Sequence, residues 1–133
     1  MTVVIDVSGA MEILMHKEKA DFFYKAIKEA TFAVAPDLFI SELTNALWKY
    51  NKAKLLSIDI CMKYMQVGIN YVDAFIDSRD IWQEAFAEGI NNDHSIYDMF
   101  YMVTARRHFG TLITNDSVLA AICIKNKVQV CYN

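Results

Sequence analysis

Short runs of apolar residues, many of them β-branched, alternate along the chain with longer segments of helical periodicity. Four of the short runs predict strands, at residues 2–6, 31–35, 111–114 and 128–131. Near-continuous apolar runs of this kind are typical of strands that are buried on both faces. Because helical segments separate the strands, the pattern predicts a three-layer α/β/α sandwich around a central, mainly parallel sheet of four to five strands.

Seven segments with helical spacing lie between and after these strands. They are residues 9–15, 17–30, 37–52, 57–76, 80–89, 95–109 and 118–125. Pro36 is expected to open the third segment, because proline is common at a first helical position. Gly89 is expected to end the fifth. No repeat or linker interrupts this order, so residues 1–133 are predicted to form a single domain.

The third helix carries two neighbouring stripes of side chains. Its core stripe is formed by Phe39, Leu43, Ala46, Leu47 and Tyr50. Glu42, Asn45 and Lys49 follow at helical spacing on the adjacent stripe. Glu42 is therefore expected at the edge of the core, where its carboxylate faces either a crevice or solvent.

The helix that begins at Ser95 is apolar almost all round. Between Ile96 and Ala105 only Asp98 and Thr104 are polar. Such a helix belongs in the middle of a domain, and a carboxylate on it needs a cation, a donor or its own protonation. Asp98 therefore either forms a capping box with Ser95 or has a functional role.

Composition excludes several classes of protein. Hydrophobic residues make up 55% and charged residues 22% of the 133 residues, which excludes a disordered chain. No apolar run approaches the ~18 residues of a membrane span, so no membrane partner is expected. The mean hydropathy of +0.18 is high for a soluble monomer and indicates apolar surface for a dimer or a bound partner. Three scattered cysteines are expected as free thiols in a reducing cytoplasm.

The net charge of -3 argues against a general binder of polyanions, since the affinity of such proteins comes from neutralising phosphates. The same charge does not exclude a nuclease. An enzyme of that class needs only a local basic rim, and clustered acids in its site lower the net charge.

Acidic residues follow two of the predicted strands. Asp6 and Asp116 stand just past the carboxyl ends of parallel strands, the edge at which open α/β sheets bind ligands. Helix capping is the alternative interpretation of each. If both converge with Glu42 and Asp98, mutual repulsion raises their pKa values and a hard divalent cation relieves it. Oxygen-only ligands favour Mg²⁺ or Mn²⁺, and water bound to such an ion can act as a nucleophile.

Four segments, taken in order, resemble the PIN-domain family. They are VVID at the first strand, SELTNAL on the third helix, SIYDMFYMVTAR on the sixth and LITND before the last. The resemblance runs from Thr2 to Val130 and is in particular to the small VapC-type ribonuclease toxins of bacterial and archaeal toxin–antitoxin pairs. The segment DVSGA departs from the more usual D-T/A-S-A-L of the family at Val7 and Gly9.

The resemblance implies an acidic quartet that binds one or two Mg²⁺ or Mn²⁺ ions and activates water for RNA cleavage. The quartet falls on Asp6, Glu42, Asp98 and Asp116. The first and third of these acids are expected to hold the principal ion, and the other two to complete the cluster or to orient the attacking water. Supporting positions are implied for the polar side chains of Ser8, Asn45 and Thr114.

The function predicted on this basis is that of a metal-dependent endoribonuclease, the toxin of a type II toxin–antitoxin pair. Its expected partners are an RNA substrate, a cognate antitoxin and a second copy of the chain in a homodimer. Lys49, Arg106 and Arg107 are candidates for contacts with phosphate, and a solvated helix face or end is the alternative for each.

Two other functions stay open at this point. One is a catalytically inactive PIN-like interaction module that acts through a partner or as a dimer, although intact acids at all four positions count against it. The other is a phosphoryl-transfer domain. A haloacid-dehalogenase-like phosphatase requires D-x-D after the first strand, where this chain has Asp6-Val7-Ser8. A receiver requires a lysine after a late strand, where the chain has TLITND.

Overall fold

The structure is a computed structural model that describes residues 1–132. Its strands are β1 (Thr2–Ile5), β2 (Phe32–Pro36), β3 (Ala74–Ile76), β4 (Thr111–Ile113) and β5 (Val130–Cys131). Within the described residues these five strands form one parallel sheet of order β3-β2-β1-β4-β5. Asn133, the last residue of the predicted domain, lies outside the described residues.

Seven helices flank the sheet in the described part of the chain. They are α1 (Val7–Leu14), α2 (Ala20–Glu29), α3 (Leu38–Lys52), α4 (Ile58–Asn70), α5 (Ser78–Asn92), α6 (Ile96–Arg107) and α7 (Ser117–Lys125). The predicted three-layer α/β/α architecture with a parallel sheet is confirmed. None of these helices is both long and apolar enough to cross a membrane.

The centre of the core lies on β1, the middle strand of the sheet. Val3, Val4 and Ile5 are completely buried, as expected for a strand with a helical layer on each face. α6 packs across β2, β1 and β4, and its Met99 and Met102 are also completely buried. The almost entirely apolar α6 thus occupies the central position that its sequence predicted.

The order of the strands reverses beside β1. The chain builds β1, β2 and β3 outward on one side and then crosses to β4 and β5 on the other. β1 and β4 pair in register, with Ile5 opposite Ile113, so their carboxyl ends lie side by side. In open α/β sheets this reversal creates a crevice for ligands at the carboxyl edge. Asp6, which follows β1, and Thr114, which follows β4, occupy that position.

β3 lies inside the region predicted as one long helix, residues 57–76. α4 ends at Asn70, and the chain then turns so that the Asp73 carboxylate accepts a hydrogen bond from the Ala33 amide at 2.8 Å. This bond aligns the following residues with β2, to which β3 pairs. Apolar residues continue at helical spacing through the break, so periodicity could not reveal it.

Two helix starts also differ from the prediction. α1 begins at Val7, because Asp6 and not a later residue is its N-cap. Pro36 is the last residue of β2 and not the first of α3. A proline is tolerated at a strand end because it need not donate there; the Asp37 amide instead donates to the Ile76 carbonyl at 2.8 Å.

Gly89 was predicted to end a helix, but it lies within α5, which continues to Asn92. A side-chain carbon at this glycine would lie 2.2 Å from the Ile96 side chain. The glycine therefore allows α5 to pack closely against the start of α6, and it contributes to packing and not to helix termination.

Candidate functional site

Asp6 is the most buried of the four predicted acids, with 6% of its surface exposed. As the N-cap of α1 it accepts hydrogen bonds at Oδ1 from the Gly9 amide at 2.8 Å and from the Ser8 hydroxyl at 2.7 Å. Its Oδ2 accepts a hydrogen bond from the Thr114 hydroxyl. The capping interpretation is therefore correct for Asp6, but one oxygen of the carboxylate faces β4 and not the helix.

The environment of Asp6 disfavours its charge. Burial raises its pKa to about 6, although the hydrogen bonds from Thr114, Ser8 and Gly9 oppose the rise. The nearby charge of Asp98 raises the pKa further. A cation beside Asp6 would reverse both effects, because burial and like charge each penalise only the ionised form.

Two hydroxyl groups connect the loop after β1 to the loop after β4. The Ser8 and Thr114 hydroxyl oxygens lie 3.2 Å apart. The Asn115 amide donates to the Ser8 hydroxyl at 2.8 Å, and the Asp116 amide donates to the Thr114 hydroxyl at 3.0 Å. Both hydroxyl positions implied by the family resemblance thus lie next to Asp6 and fix the two loops together.

Glu42 lies half-buried on α3 and faces α6. Its Oε1 accepts a hydrogen bond from the Tyr101 hydroxyl at 2.6 Å. Burial raises the pKa of Glu42, the hydrogen bond from Tyr101 opposes the rise, and the charge of Asp98 adds to it. Glu42 therefore lies at the edge of the core, as predicted, with its carboxylate directed towards α6.

Asp98 occupies the first turn of α6 and is half-buried. Its Oδ2 lies 2.7 Å from Nε2 of His94, four residues earlier. The Ser95 side chain forms no capping bond, so the alternative of a capping box is wrong. The charge of Asp98 contributes to the raised pKa values of both Asp6 and Glu42, so Asp98 lies close enough to interact with each of them.

Asp116 is placed differently from the other three acids. Its Oδ1 accepts hydrogen bonds from the Val118 amide at 2.9 Å and the Leu119 amide at 3.1 Å and so caps α7. It is connected to the site through its own amide and the Thr114 hydroxyl. Its carboxylate serves as a helix cap, as the capping alternative predicted.

The four acids offer carboxylate oxygens without protein cations. Within residues 1–132 none of them forms an ion pair with a lysine or arginine. No three His, Cys, Asp or Glu side chains in the same range lie close enough to hold an ion. The donor chemistry suits a hard divalent cation. Burial, and to a lesser extent the charge of Asp98, raises the pKa values of Asp6 and Glu42, and a cation beside these acids would oppose both effects.

Comparison with known proteins identifies the family. A family model described as PIN domain matches residues 3–125. The chain belongs to the PIN domain family. This PIN domain is 26% identical over 122 residues to a protein named Ribonuclease VapC3 from Pyrobaculum aerophilum, and the match covers 90% of this chain and 93% of that relative. The predicted family is confirmed, and the phosphoryl-transfer alternative is set aside.

The fold of this PIN domain is similar to the crystal structure of PAE2754 from Pyrobaculum aerophilum. The TM-score is 0.71 at 22% sequence identity, and the superposition covers 92% of this chain and 84% of that one. At this identity the likeness concerns the fold alone.

The two arginines of α6 lie at the opposite end of the helix from Asp98. Arg106 forms ion pairs with Glu84, at 2.8 Å, and with Glu88, and Arg107 pairs with Glu84 at 3.2 Å. They end α6, and the next turn reaches Gly110, which lies against the Thr2 carbonyl at the amino edge of the sheet. Their ion pairs with α5 weigh against the predicted phosphate contacts, which stay untested.

Lys49 and Asn45 lie exposed on α3, on the same side of the helix as Glu42. Neither touches the acids through a hydrogen bond or an ion pair in the described part of the chain. Their positions leave the predicted supporting and phosphate-contact roles untested.

Sequence reasoning missed two partners of the acids. Tyr101 and His94 do not belong to the site residues predicted from the sequence, yet each contacts a member of the quartet. A spacing signal existed for Tyr101, because it lies three residues after Asp98 and therefore shares one side of α6 with it. His94 lies before the start of α6, so helical spacing gave no signal for it.

Proposed function

We propose that this PIN domain is a divalent-metal-dependent endoribonuclease that hydrolyses RNA phosphodiester bonds. The observation that supports the proposal most is the position of Asp6, Glu42 and Asp98. Asp6 follows β1, burial and the charge of Asp98 raise the pKa values of Asp6 and Glu42, and none of the three acids has a lysine or arginine partner in the described residues. A relative named Ribonuclease VapC3 agrees with this activity.

Each acid has a distinct role in the proposed mechanism. Asp6 and Asp98 would hold the principal ion, Mg²⁺ or Mn²⁺, and Glu42 and Asp116 would complete the cluster or orient the attacking water. When bound, the ion supplies Lewis-acid stabilisation of the phosphate and lowers the pKa of water. The Ser8 and Thr114 hydroxyls fix the Asp6 carboxylate, and Asn45 offers an amide one turn after Glu42.

The acidic site requires charge screening before RNA approaches. The protein carries a net charge of -3, so the carboxylates repel a phosphate unless a cation lies between them. Lys49, exposed on α3, is the remaining candidate for a direct phosphate contact, since Arg106 and Arg107 are engaged by glutamates. The proposed chemistry therefore depends mainly on positioning and charge neutralisation.

We also propose that the protein acts as the toxin of a type II toxin–antitoxin pair and as a homodimer. The name of the VapC3 relative supports the first part. Exposed apolar surface supports both parts: Trp82, Phe86 and Ile90 form a stripe along α5 and each is more than half exposed. A groove of about 440 Å³ between α1, α2 and α4 offers a second apolar surface.

A reducing compartment, the cytoplasm, agrees with the state of the cysteines. Cys61, Cys123 and Cys131 are all free thiols. Burial raises the pKa of Cys123 to about 12, so this thiol stays protonated and unreactive.

The decisive experiment is an RNA cleavage assay with Mg²⁺, Mn²⁺ or EDTA, comparing the wild type with Asp98→Asn. We expect cleavage that requires metal and that falls on the order of 10²–10³-fold in the variant while the fold survives. Asp59→Asn, at an exposed position on α4, is the matched control and is expected to cleave like the wild type.

Two outcomes would contradict the proposal. Equal cleavage in EDTA would exclude the metal-dependent mechanism. A folded wild type without cleavage under any metal would favour the inactive interaction module, and co-expression with the product of an adjoining reading frame would then identify its partner.

A further inference from the structure

Tyr101 joins the two helices that carry Glu42 and Asp98. It lies on α6 with 2% of its surface exposed, and its hydroxyl reaches across to α3 to donate to Glu42 at 2.6 Å. The two residues are 59 positions apart in sequence. A buried ring among core residues therefore carries a single polar atom, and that atom touches an acid of the candidate site.

The hydroxyl is well suited to fix a carboxylate. A tyrosine hydroxyl ordinarily has a pKa of about 10, so it is protonated at neutral pH and donates to the carboxylate. Within residues 1–132 it is the one hydrogen-bond donor to the Glu42 side chain. Glu42 has three side-chain torsions and is only half-buried, so without this bond its carboxylate would sample several orientations.

Tyr101 is also rigidly connected to Asp98. Tyr101 follows Asp98 by three positions on α6, which places both side chains on the same side of one helix turn. A hydrogen bond from Tyr101 to Glu42 therefore sets the position of the α3 carboxylate relative to the α6 carboxylate. Groups that orient ligands in this way are as important to metal sites as the ligands themselves.

We propose that Tyr101 is a positioning residue that holds the Glu42 carboxylate in place beside Asp98 for binding of a divalent cation. This inference rests on the proposed function, because it concerns the same acidic site. The hydroxyl acts through Glu42 and does not itself touch the ion or the RNA.

Tyr101→Phe tests the proposal, because phenylalanine keeps the buried ring and removes only the hydroxyl. Binding of Mn²⁺ to the metal-free full chain is followed by the electron paramagnetic resonance of free Mn²⁺. We expect the affinity to fall about 10-fold, the lower end for loss of a group that supports a ligand. Tyr50→Phe is the matched control: its hydroxyl bonds Lys17 at 3.0 Å and no acid of the site, and we expect no change.

A double-variant cycle separates positioning from general packing. With Glu42→Gln in the background, adding Tyr101→Phe should change the Mn²⁺ affinity less than 2-fold, because the carboxylate to be positioned is gone. Equal losses in both backgrounds would overturn the proposal and assign Tyr101 to packing. Thermal unfolding of the metal-free variants verifies that all are folded.

The same measurements distinguish failure of this inference from failure of the proposed function. If the wild type binds Mn²⁺ and cleaves RNA while Tyr101→Phe binds Mn²⁺ within 2-fold of it, the inference is overturned and the nuclease stands. If the wild type neither binds Mn²⁺ nor cleaves RNA, the proposed function is overturned and the inference with it.

Discussion

The two ends of α6 place carboxylates in opposite environments. At its first turn, Asp98 lies near Asp6 and Glu42, and no lysine or arginine in the described residues pairs with them. Burial and like charge raise the pKa values of Asp6 and Glu42 there. No lysine or arginine in the described residues therefore compensates the negative charge at this end of the helix, where the one ring nitrogen beside Asp98 is that of His94.

At the other end, Arg106 lies between Glu84 and Glu88 of α5. Burial alone raises the pKa values of both glutamates, but the hydrogen bonds and charge of Arg106 outweigh it, so both lie below the usual range. Here each carboxylate has its cation in the fold.

The difference teaches how to separate structural acids from candidate functional ones. Glu84 and Glu88 have an arginine partner within the fold, whereas burial and like charge disfavour the ionised forms of Asp6 and Glu42, a cost that an external cation would relieve. Such costs are typical of sites selected for activity and not for stability. The experiments below alter one end of α6 and leave the other as the reference.

The largest expected effect is a gain of stability at the acidic end. Asp6→Asn removes a carboxyl whose pKa is 3.8 when unfolded and about 6 when folded. The folded protein binds the proton more tightly, so the wild type loses stability as pH rises from about 4 to about 6 and the variant does not. At pH 7 we expect metal-free Asp6→Asn to be more stable relative to the wild type than at pH 3 by about 3 kcal/mol.

Urea denaturation of both proteins between pH 3 and pH 8 measures this difference, and subtraction cancels titrations that the two proteins share. A difference that is flat across pH would show that Asp6 ionises normally. Mg²⁺ should stabilise the wild type and not the variant, because ligands that bind the folded state raise its stability.

A loss of stability is expected at the paired end. Arg106→Gln leaves Glu88, which is 8% exposed, without its cation. Loss of one partner costs about 3–5 kcal/mol in a fully buried pair and little at the surface. Because Arg106 is 37% exposed, we expect an intermediate loss of about 2 kcal/mol in urea denaturation.

Arg79→Gln is the control for this change. Arg79 pairs with Asp77 at the surface with 89% of its side chain exposed, so we expect no measurable loss of stability. If Arg106→Gln instead kept its stability and lost RNA affinity, the sequence-based prediction of a phosphate contact at Arg106 would be right.

The sequence predicted the layers of this fold for a physical reason. Strands buried on both faces consist of continuous apolar runs, and β1, with Val3, Val4 and Ile5 completely buried, is such a run. β3 is three half-buried residues, and no glycine or proline lies in the connection 71–73 between it and α4, so nothing in that connection marked the break. Its position is set by the distant bond between Asp73 and Ala33.

The sequence was sufficient to predict which edge of the sheet carries Asp6. Asp6 follows a central strand, and strand ends at one edge of a parallel sheet converge whatever the loops do. The partners of the acids were not predictable, because Tyr101 and Glu42 meet only through the packing of α6 and α3. Arg106 illustrates the same limit, since its sequence position at a helix end does not reveal that Glu84 faces it from α5.

A smaller effect is expected from His94, which supports Asp98 from outside the core. His94→Ala removes the ring whose Nε2 lies 2.7 Å from Oδ2 of Asp98. Loss of a supporting group typically weakens metal binding 10–100-fold. The ring is partly exposed and water can replace it, so we expect a loss of about 5-fold in Mn²⁺ affinity.

His108→Ala is the matched control at the other end of α6. Its Nδ1 lies 2.8 Å from the Thr104 carbonyl and touches no acid of the site. We expect unchanged Mn²⁺ affinity for this variant. If both substitutions lowered the Mn²⁺ affinity equally, the contact between His94 and Asp98 would not explain the loss.

The smallest expected effect concerns Lys49, an exposed cation of α3 two turns after Glu42. If it contacts an RNA phosphate, Lys49→Gln raises KM about 2- to 3-fold and leaves kcat unchanged, because uniform binding energy is lost. The slope of log affinity against log salt is negative, and loss of one phosphate contact on a single strand makes it less steep by about 0.7.

The salt slope is the more informative of these two measurements. A general loss of positive charge shifts affinity at every salt concentration through long-range attraction, but only release of a bound counterion changes the slope by a fixed amount per contact. Lys25→Gln provides the comparison: it removes an equally exposed cation from α2, where Lys25 lies 4.0 Å from Glu29. If the two variants weaken binding alike and neither changes the slope by this amount, Lys49 acts through net charge, and no protein cation directly beside the acids would then guide the substrate. The metal would be left as the main local positive charge at the acidic end of α6, in full contrast to the arginines at its other end.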